Sequence, residues 1–336
     1  MDMIAAKKCF EETFTPSDSA LLTFKGTEGF DVYNCSIPFY WKGKRYIFGR
    51  VEKREEWARS WVRLFEESGK DEWTLVHNSM IYPLEDPYVS CIHNQLVMGG
   101  THVRMRQGKL DTYYAYFYRG TDIHNMRYFT TGPDFMKDIR LVELADGRIG
   151  VFSRPRDERI TEKYGSDAMV GFTIINSLDE LNADLIAGAP YLEGLFESGQ
   201  WGACNQAYLL ESGKIGVIGH FAYSDTRDKE NPQIVYFPIS FVVDPLAAKI
   251  GGLKVIASRK CFPPGPIKQS NMLDVAFTSG IIIRKDGATE LYSGLGDCME
   301  GRLVIDYPFE GEGNIAAAAQ KNASRFPLQS PEVSGG

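Results

Sequence analysis

The sequence predicts an all-β protein, read as a five-bladed β-propeller with a short C-terminal helix or tail. Three observations carry this. Strand-like runs dominate, among them YIFGRVE, QLVMGGTHV, LDTYYAYFY, RIGVFSRP, KIGVIGHFAY, IVYFPISFVV, GIIIRK and TELYSGLG. They are rich in Val, Ile, Tyr and Phe and are punctuated by glycine turns. Second, hairpin turns recur, centred on Gly43, Asn94, Gly147, Gly213 and Gly287, at intervals of 51, 53, 66 and 74 residues. That is about the length of a four-stranded blade with its loops. Third, polar residues flank these turns at nearly constant offsets. Asn34, Asp86, Asp138, Asn205 and Thr278 lie eight or nine residues before; Arg50, Thr101, Arg154, His220 and Gly294 lie seven after, the last followed closely by Asp297. Positions equidistant from an antiparallel turn lie side by side. Each hairpin therefore carries a polar pair at the end away from its turn, and a radial array gathers those ends at one mouth. A β-sandwich with chance hairpins is the alternative, and the shared offsets disfavour it.

Taken in order, the N-terminal stretch MDMIAAKKCFEETF has no apolar signal-like core. Residues near 18–29 (DSALLTFKGTEG) are expected to supply a strand that closes the last blade. Residues 54–66 (REEWARSWVRLFE) could mimic a helix, but the surrounding hairpin pattern favours a strand. No internal linker is visible, so residues 1–312 are read as one catalytic domain and 313–336 as a tail. Within that tail, Asn314–Arg325 is the best helix candidate, and 327–336 (PLQSPEVSGG) reads as a disordered end.

Composition narrows the function. An apolar fraction of 43% supports a large core, and 12% aromatics suit a sugar-binding surface. A net charge of −7 without a basic stripe argues against nucleic acid as a partner. No apolar run approaches the roughly 18 residues of a membrane span, so a soluble, cytoplasmic protein is expected. The six cysteines are scattered without a CxxC pair, and no metal site is indicated.

Asp86 stands in LEDPYVS, where Pro87 sets the backbone at a strand start. It reads either as a turn-forming Asp-Pro or as a general acid at the mouth. The acid role calls for a pKa raised by burial or by a neighbour such as Glu85. Lys137 and Asp138 open the third hairpin and Arg154 closes it; His220 closes the fourth, with Tyr223 three residues on. Together with Arg50 these gather cations near one axis and fit a phosphate-sized anion. Arg104 is counted with the phosphate set; Arg106 and Arg119 are further cations whose facing is not legible. Asp138 and Asp297 are sugar-hydroxyl acceptors or the second carboxylate that an inverting hydrolase needs. One acid among several cations fits a phosphorylase, whose nucleophile is already an anion.

The order FGRVE, LEDPYV, MKDIRL with FSRP, IGHFAY, then DVAFTSG before LYSGLGD resembles glycoside hydrolase family 130 over about residues 30–310. That family comprises five-bladed propellers, mostly inverting phosphorylases of β-mannosides. Tyr88, Ser153 and the Gly-Asp-Cys of 296–298 depart from its pattern. These departures point to the sister mannosyltransferase-phosphorylases of glycosyltransferase family 108, once known only as a domain of unknown function. The resemblance implies that Asp86 is the catalytic acid, passing its proton through the sugar's 3-hydroxyl. It implies that Asn34, Arg50 and Asp297 hold the mannosyl unit, with Asp274 and Phe277 nearby. Lys137, Arg154, His220 and Tyr223 would face phosphate. It further implies β-1,2-linked mannose and an oligosaccharide partner. Inorganic phosphate or α-mannose 1-phosphate would be the co-substrate, with a nucleotide sugar as another donor and no other cofactor. An inverting hydrolase and a non-catalytic carbohydrate-binding propeller are the rival readings.

Overall fold

The computed structural model describes residues 2–15 and 18–316, and the strands are antiparallel meanders laid end to end. Phe39–Trp41, Lys44–Glu52, Trp61–Gly69 and Glu72–Leu75 form the first. Glu85–Ile92, Gln95–Arg106, Lys109–Gly120 and Arg127–Thr131 form the next sheet. Arg140–Glu143, Ile149–Ser153, Val170–Ile175 and Tyr191–Leu192 form another. The largest sheet has eight strands but is two such meanders, 200–255 and 274–305, joined only by a short parallel bridge at Val235↔Asp274 and Tyr236↔Val275.

The predicted turns are where these meanders fold back. Lys42-Gly43 and His93-Asn94 both take left-handed backbone between directly paired strand ends, the two-residue turn whose twist matches that of a sheet. Gly147, Gly213 and Gly287 share a different turn. In each, the glycine N–H donates to the carbonyl three residues back, and that residue's N–H donates to the carbonyl after the glycine. The glycines have φ of 81–88°, which a side chain would strain.

Ser19–Leu21 pairs with Met299–Ile305, so the chain's first strand closes its last meander, as expected for 18–29. Thr23–Lys25 then crosses to pair with Glu72–Leu75 in the first sheet. Residues 54–66 are strand only from Trp61; 54–60 are turns and bends. The helix expected over 314–325 lies mostly outside the described residues. Its described part, 314–316, is extended: Glu211 N–H donates to Asn314 O and Ala316 N–H to Leu209 O. Sheet-like pairing therefore runs past the expected boundary at 312.

A helix that the sequence reading did not anticipate, Met3–Thr13, is capped by Asp2, whose carboxylate accepts the N–H groups of Ile4 and Ala5. It buries Met3 and, unusually, Lys7. Among the described residues no helix is long and apolar enough to cross a membrane. Apolar clusters lie between neighbouring sheets, for example Phe152, Phe172, Phe221, Phe237 and Phe241 between the third and fourth meanders.

Candidate active site

The polar residues before the first three hairpins share a backbone signature. Asn34, Asp86 and Asp138 have φ of 45°, 48° and 58°, and Asp297 has 54°. Left-handed backbone is uncommon outside glycine, is tolerated best by Asn and Asp, and persists where surroundings enforce it. Asn34, Asp86 and Asp138 are buried, and Asp297 is half-buried.

Asp86 sits at the junction. Its Oδ1 accepts from Asn34 Nδ2 at 2.9 Å and from Arg50 Nη1 at 3.0 Å, and its Oδ2 faces Lys137 Nζ at 4.0 Å. Arg50 spends its other terminal nitrogen on Glu52 (3.0 Å) and Glu85 (3.1 Å) and stacks over the Tyr33 ring. Behind it, Glu52 also accepts from the Tyr33 hydroxyl and from Lys268 Nζ. Burial, against the pull of Arg50, raises the Glu85 carboxyl above its ordinary value, and the same balance raises Asp297. Glu52 is buried too, but Arg50 and Lys268 hold it down at about 2. This half of the site is rich in carboxylates around one buried guanidinium.

The other half is basic. Asp138 lies between Arg154 Nη1 at 3.0 Å and Arg140 Nη2 at 3.5 Å, and Arg140 Nε also anchors to the Asn205 carbonyl. Burial would raise the Asp138 carboxyl, but the two arginines outweigh it and hold it at about 2. Asp138 is thus an ionised carboxylate clamped between two guanidinium groups. Lys137 is kept charged: burial lowers its pKa, but Asp86 and Asp138 more than compensate.

His220 differs from its basic neighbours. It is fully buried, and burial together with Arg154, Lys137 and Arg140 drives its pKa to about 3. It is therefore a neutral imidazole, not one of the cations. Its Nδ1 meets the Asn205 side-chain oxygen at 2.8 Å, and its ring lies 4.9 Å from Phe277 and 5.2 Å from Tyr236. Asp274 stands at the start of the strand that carries Phe277, and Lys7 of the N-terminal helix holds it at 2.7 Å. Tyr223 is half-buried and feels the charges of Lys7 and Asp274. Arg104 is set apart: it is exposed, and its Nε donates to Asp111 at 2.7 Å.

Sequence reading missed Glu52, Lys268, Tyr33 and Arg140. Arg140 was in view within MKDIRL, two residues on from Asp138 at the start of the strand Arg140–Glu143. Lys268 lies in a Pro-rich loop with no periodicity to place it.

Several buried polar atoms here have no partner: Asn34 Oδ1, Ser153 Oγ, Arg154 Nε, Asn205 Nδ2 and His220 Nε2. Unsatisfied buried groups are rare in folded proteins, and these five lie on or beside the residues that meet at the mouth.

Fold and site together define an all-β protein with a largely buried polar cluster whose acidic and basic halves meet at Asp86. The chain belongs to the family described as a protein of unknown function, DUF1861, whose model matches residues 8–311. Among solved structures it is similar to a mannose phosphorylase from Leishmania mexicana in complex with a phosphate ion. That match has 50% identity and a TM-score of 0.90, and covers 97% of this chain and 98% of the other. It is also similar to a GDP-Man-dependent mannosyltransferase from Leishmania mexicana, at 44% identity over 94% and 98% of the two chains, TM-score 0.87. A β-1,2-mannobiose phosphorylase from Listeria innocua shares the fold at 13% identity over 88% and 94%, TM-score 0.56. No curated protein matches the sequence.

Proposed function

We propose that the chain is an inverting β-mannoside phosphorylase and mannosyltransferase, acting on β-1,2-linked mannose with α-mannose 1-phosphate as product or donor. The meanders are read as the blades of a five-bladed propeller with the site at its mouth. The observation that carries the reading is the division of that mouth. Asp86 and its hydrogen-bonded neighbours face one way, while Lys137, Arg140 and Arg154 outnumber Asp138 on the other.

In this reading Asn34, Arg50 and Asp297 hold the mannosyl unit, with Phe277 and Asp274 walling it. Lys137 and Arg154 grip phosphate, and neutral His220, its Nδ1–H donating to Asn205, accepts at Nε2 from a protonated phosphate oxygen. Tyr223 borders this side, and Arg104 would contribute only by leaving Asp111. A phosphate oxygen attacks the anomeric carbon as the glycosidic C–O bond breaks. The leaving oxygen takes a proton that originates on Asp86 and passes through the sugar's 3-hydroxyl. The products are α-mannose 1-phosphate and the shortened mannoside. In reverse, the acceptor hydroxyl loses its proton by the same route. The 50% identity to a phosphate-bound mannose phosphorylase supports phosphate as co-substrate.

Arg154→Ala tests the phosphate site. Removing a bidentate-capable cation should raise the KM for phosphate by about tenfold or more. An unchanged phosphate KM would contradict its placement. The 44% identity to a GDP-Man-dependent transferase favours a second reading, transfer from a nucleotide sugar to the same acceptors.

A further inference from the structure

Arg50 faces more negative charge than it can balance. Its terminal nitrogens reach Asp86 at 3.0 Å, Glu52 at 3.0 Å and Glu85 at 3.1 Å, one guanidinium among three carboxyl groups. Nη1 serves Asp86, while Nη2 is divided between Glu52 and Glu85. A fully buried carboxylate is unfavourable unless paired, so an under-supplied Glu52 would draw the guanidinium to itself. Three further donors offset this. The Tyr33 hydroxyl and Lys268 Nζ both donate to Glu52 Oε2, and the Arg59 N–H donates to Oε1 at 3.0 Å. Lys268 Nζ also lies 3.1 Å from the Tyr33 hydroxyl and 5.4 Å from its ring, over which Arg50 stacks at 4.7 Å. Glu52 is fully buried and the Lys268 side chain is 6% exposed, so both bear on the mouth through Arg50.

Lys268 belongs to the loop CFPPGPIK, 261–268, and that loop is fastened to the turn bearing Asp297. The Lys268 N–H donates to Gly296 O at 2.8 Å, and Cys298 Sγ donates to Pro266 O at 3.2 Å. The contact is so close that a Cβ on Gly296 would lie 2.9 Å from Ile267 Cγ2. Three prolines restrict φ along the loop. Burial and Asp86 raise the Asp297 carboxyl, against Arg50, Lys137 and Lys268. Tyr33 and Cys298 are the other titratable groups that feel its charge.

One lysine therefore connects the two charged groups assigned to the mannosyl unit. We infer that Lys268 is a positioning residue: it satisfies Glu52, which leaves Arg50 free for Asp86, and its loop sets the Asp297 turn beside them. The inference rests on the proposed function, in which Arg50 and Asp297 hold the sugar.

The test follows phosphorolysis of β-1,2-mannobiose against pH for the wild type, Lys268→Met, Lys268→Arg, Glu52→Gln and the Lys268→Met/Glu52→Gln double variant. Lys268→Met should lower kcat/KM for mannobiose about tenfold or more and leave the phosphate KM within about twofold. Removing a cation raises the pH at which Asp297 ionises. The acid limb of kcat/KM should therefore move up by about half a pH unit or more, and return in Lys268→Arg. Without Glu52 the demand on Arg50 disappears, so Lys268→Met should cost no more than about twofold in the Glu52→Gln background. That comparison also decides the matter where the single variant does not fold. An unmoved acid limb, an equal rise in the phosphate KM, or the same loss with and without Glu52 would overturn the positioning role. Should the wild type turn over no mannoside, the proposed function fails. The nitrogen-15 resonance of the Arg50 Nε–H, which donates to Ser60 Oγ at 2.9 Å, then decides the inference. It should shift in Lys268→Met and return in the double variant, and a resonance unmoved by Lys268→Met would overturn it.

Discussion

Gly294 packs against Asn34 so tightly that an added Cβ would lie 1.8 Å from Asn34 Oδ1 and 2.8 Å from its backbone nitrogen. Gly294→Ala must therefore displace the residue that donates to Asp86. We expect kcat/KM to fall at least tenfold, about 1.4 kcal/mol, while the far-ultraviolet circular dichroism stays that of the parent. Full activity would mean that Asn34 does not orient the acid. Glu300, buried nearby, makes a prediction of pH dependence. Burial lifts its carboxyl from 4.5 to about 8, although the Cys35 N–H and the Ser279 hydroxyl donate to it. Between those values the folded chain holds a proton that the unfolded chain has released, so this group's contribution to stability is lost as pH rises toward 8. His220 has the opposite sign, its stability lost only as pH falls from 6.5 toward 3. From pH 6.5 to 8 Glu300 should therefore cost on the order of 1–2 kcal/mol. Glu300→Gln should remove that slope in thermal melts across the window, and an identical slope would refute it. At this scale the sequence was partly legible. Asn34, Asp86, Asp138, Arg154 and His220 could be found because each sits at a fixed distance from its own turn. Glu52 and Lys268 could not, since they meet across 216 positions and no local pattern links them.

The N-terminal helix shows how an element can matter and still escape sequence reading. Its buried face is narrow, with Met3 and a lysine in place of an apolar stripe. Hydrophobic periodicity has little to find there. Lys7 instead joins Glu11 at 2.6 Å on its own helix and Asp274 at 2.7 Å on the strand leading to Phe277. Burial lowers the Lys7 pKa, but both carboxylates outweigh it, and the group stays charged. Lys7→Ala leaves the partly buried Asp274 without its cation, while Glu11 keeps Lys260 at 2.6 Å. The expected loss is about 1–2 kcal/mol in denaturant unfolding, below that of a fully buried pair because Asp274 is part-exposed. A melt indistinguishable from the parent would show that the helix is not anchored by this pair. The hairpins were the opposite case. Glycine or Asn at the turn and alternating strands on either side are local signals, and they placed those turns correctly.

For the whole molecule, the regular turn spacing carried most of the architecture, and the strand Ser19–Leu21 that closes the last meander was anticipated from an otherwise unclaimed stretch. What spacing could not convey is how charge divides at the mouth. Histidine looked like one more cation in a list of residues. Burial beside three cationic groups makes it neutral, and only the assembled fold brings those groups together. The proposed reaction, exchange of a mannosyl unit between phosphate and a β-mannoside, depends on this division of charge. Incubation with β-1,2-mannobiose, with and without inorganic phosphate, tests it most directly when products are read by phosphorus NMR and the Asp86→Asn variant is run alongside. α-Mannose 1-phosphate is expected only when phosphate is present, and at least a hundredfold less of it from the variant. Free mannose released equally with or without phosphate, or a fully active variant, would contradict it.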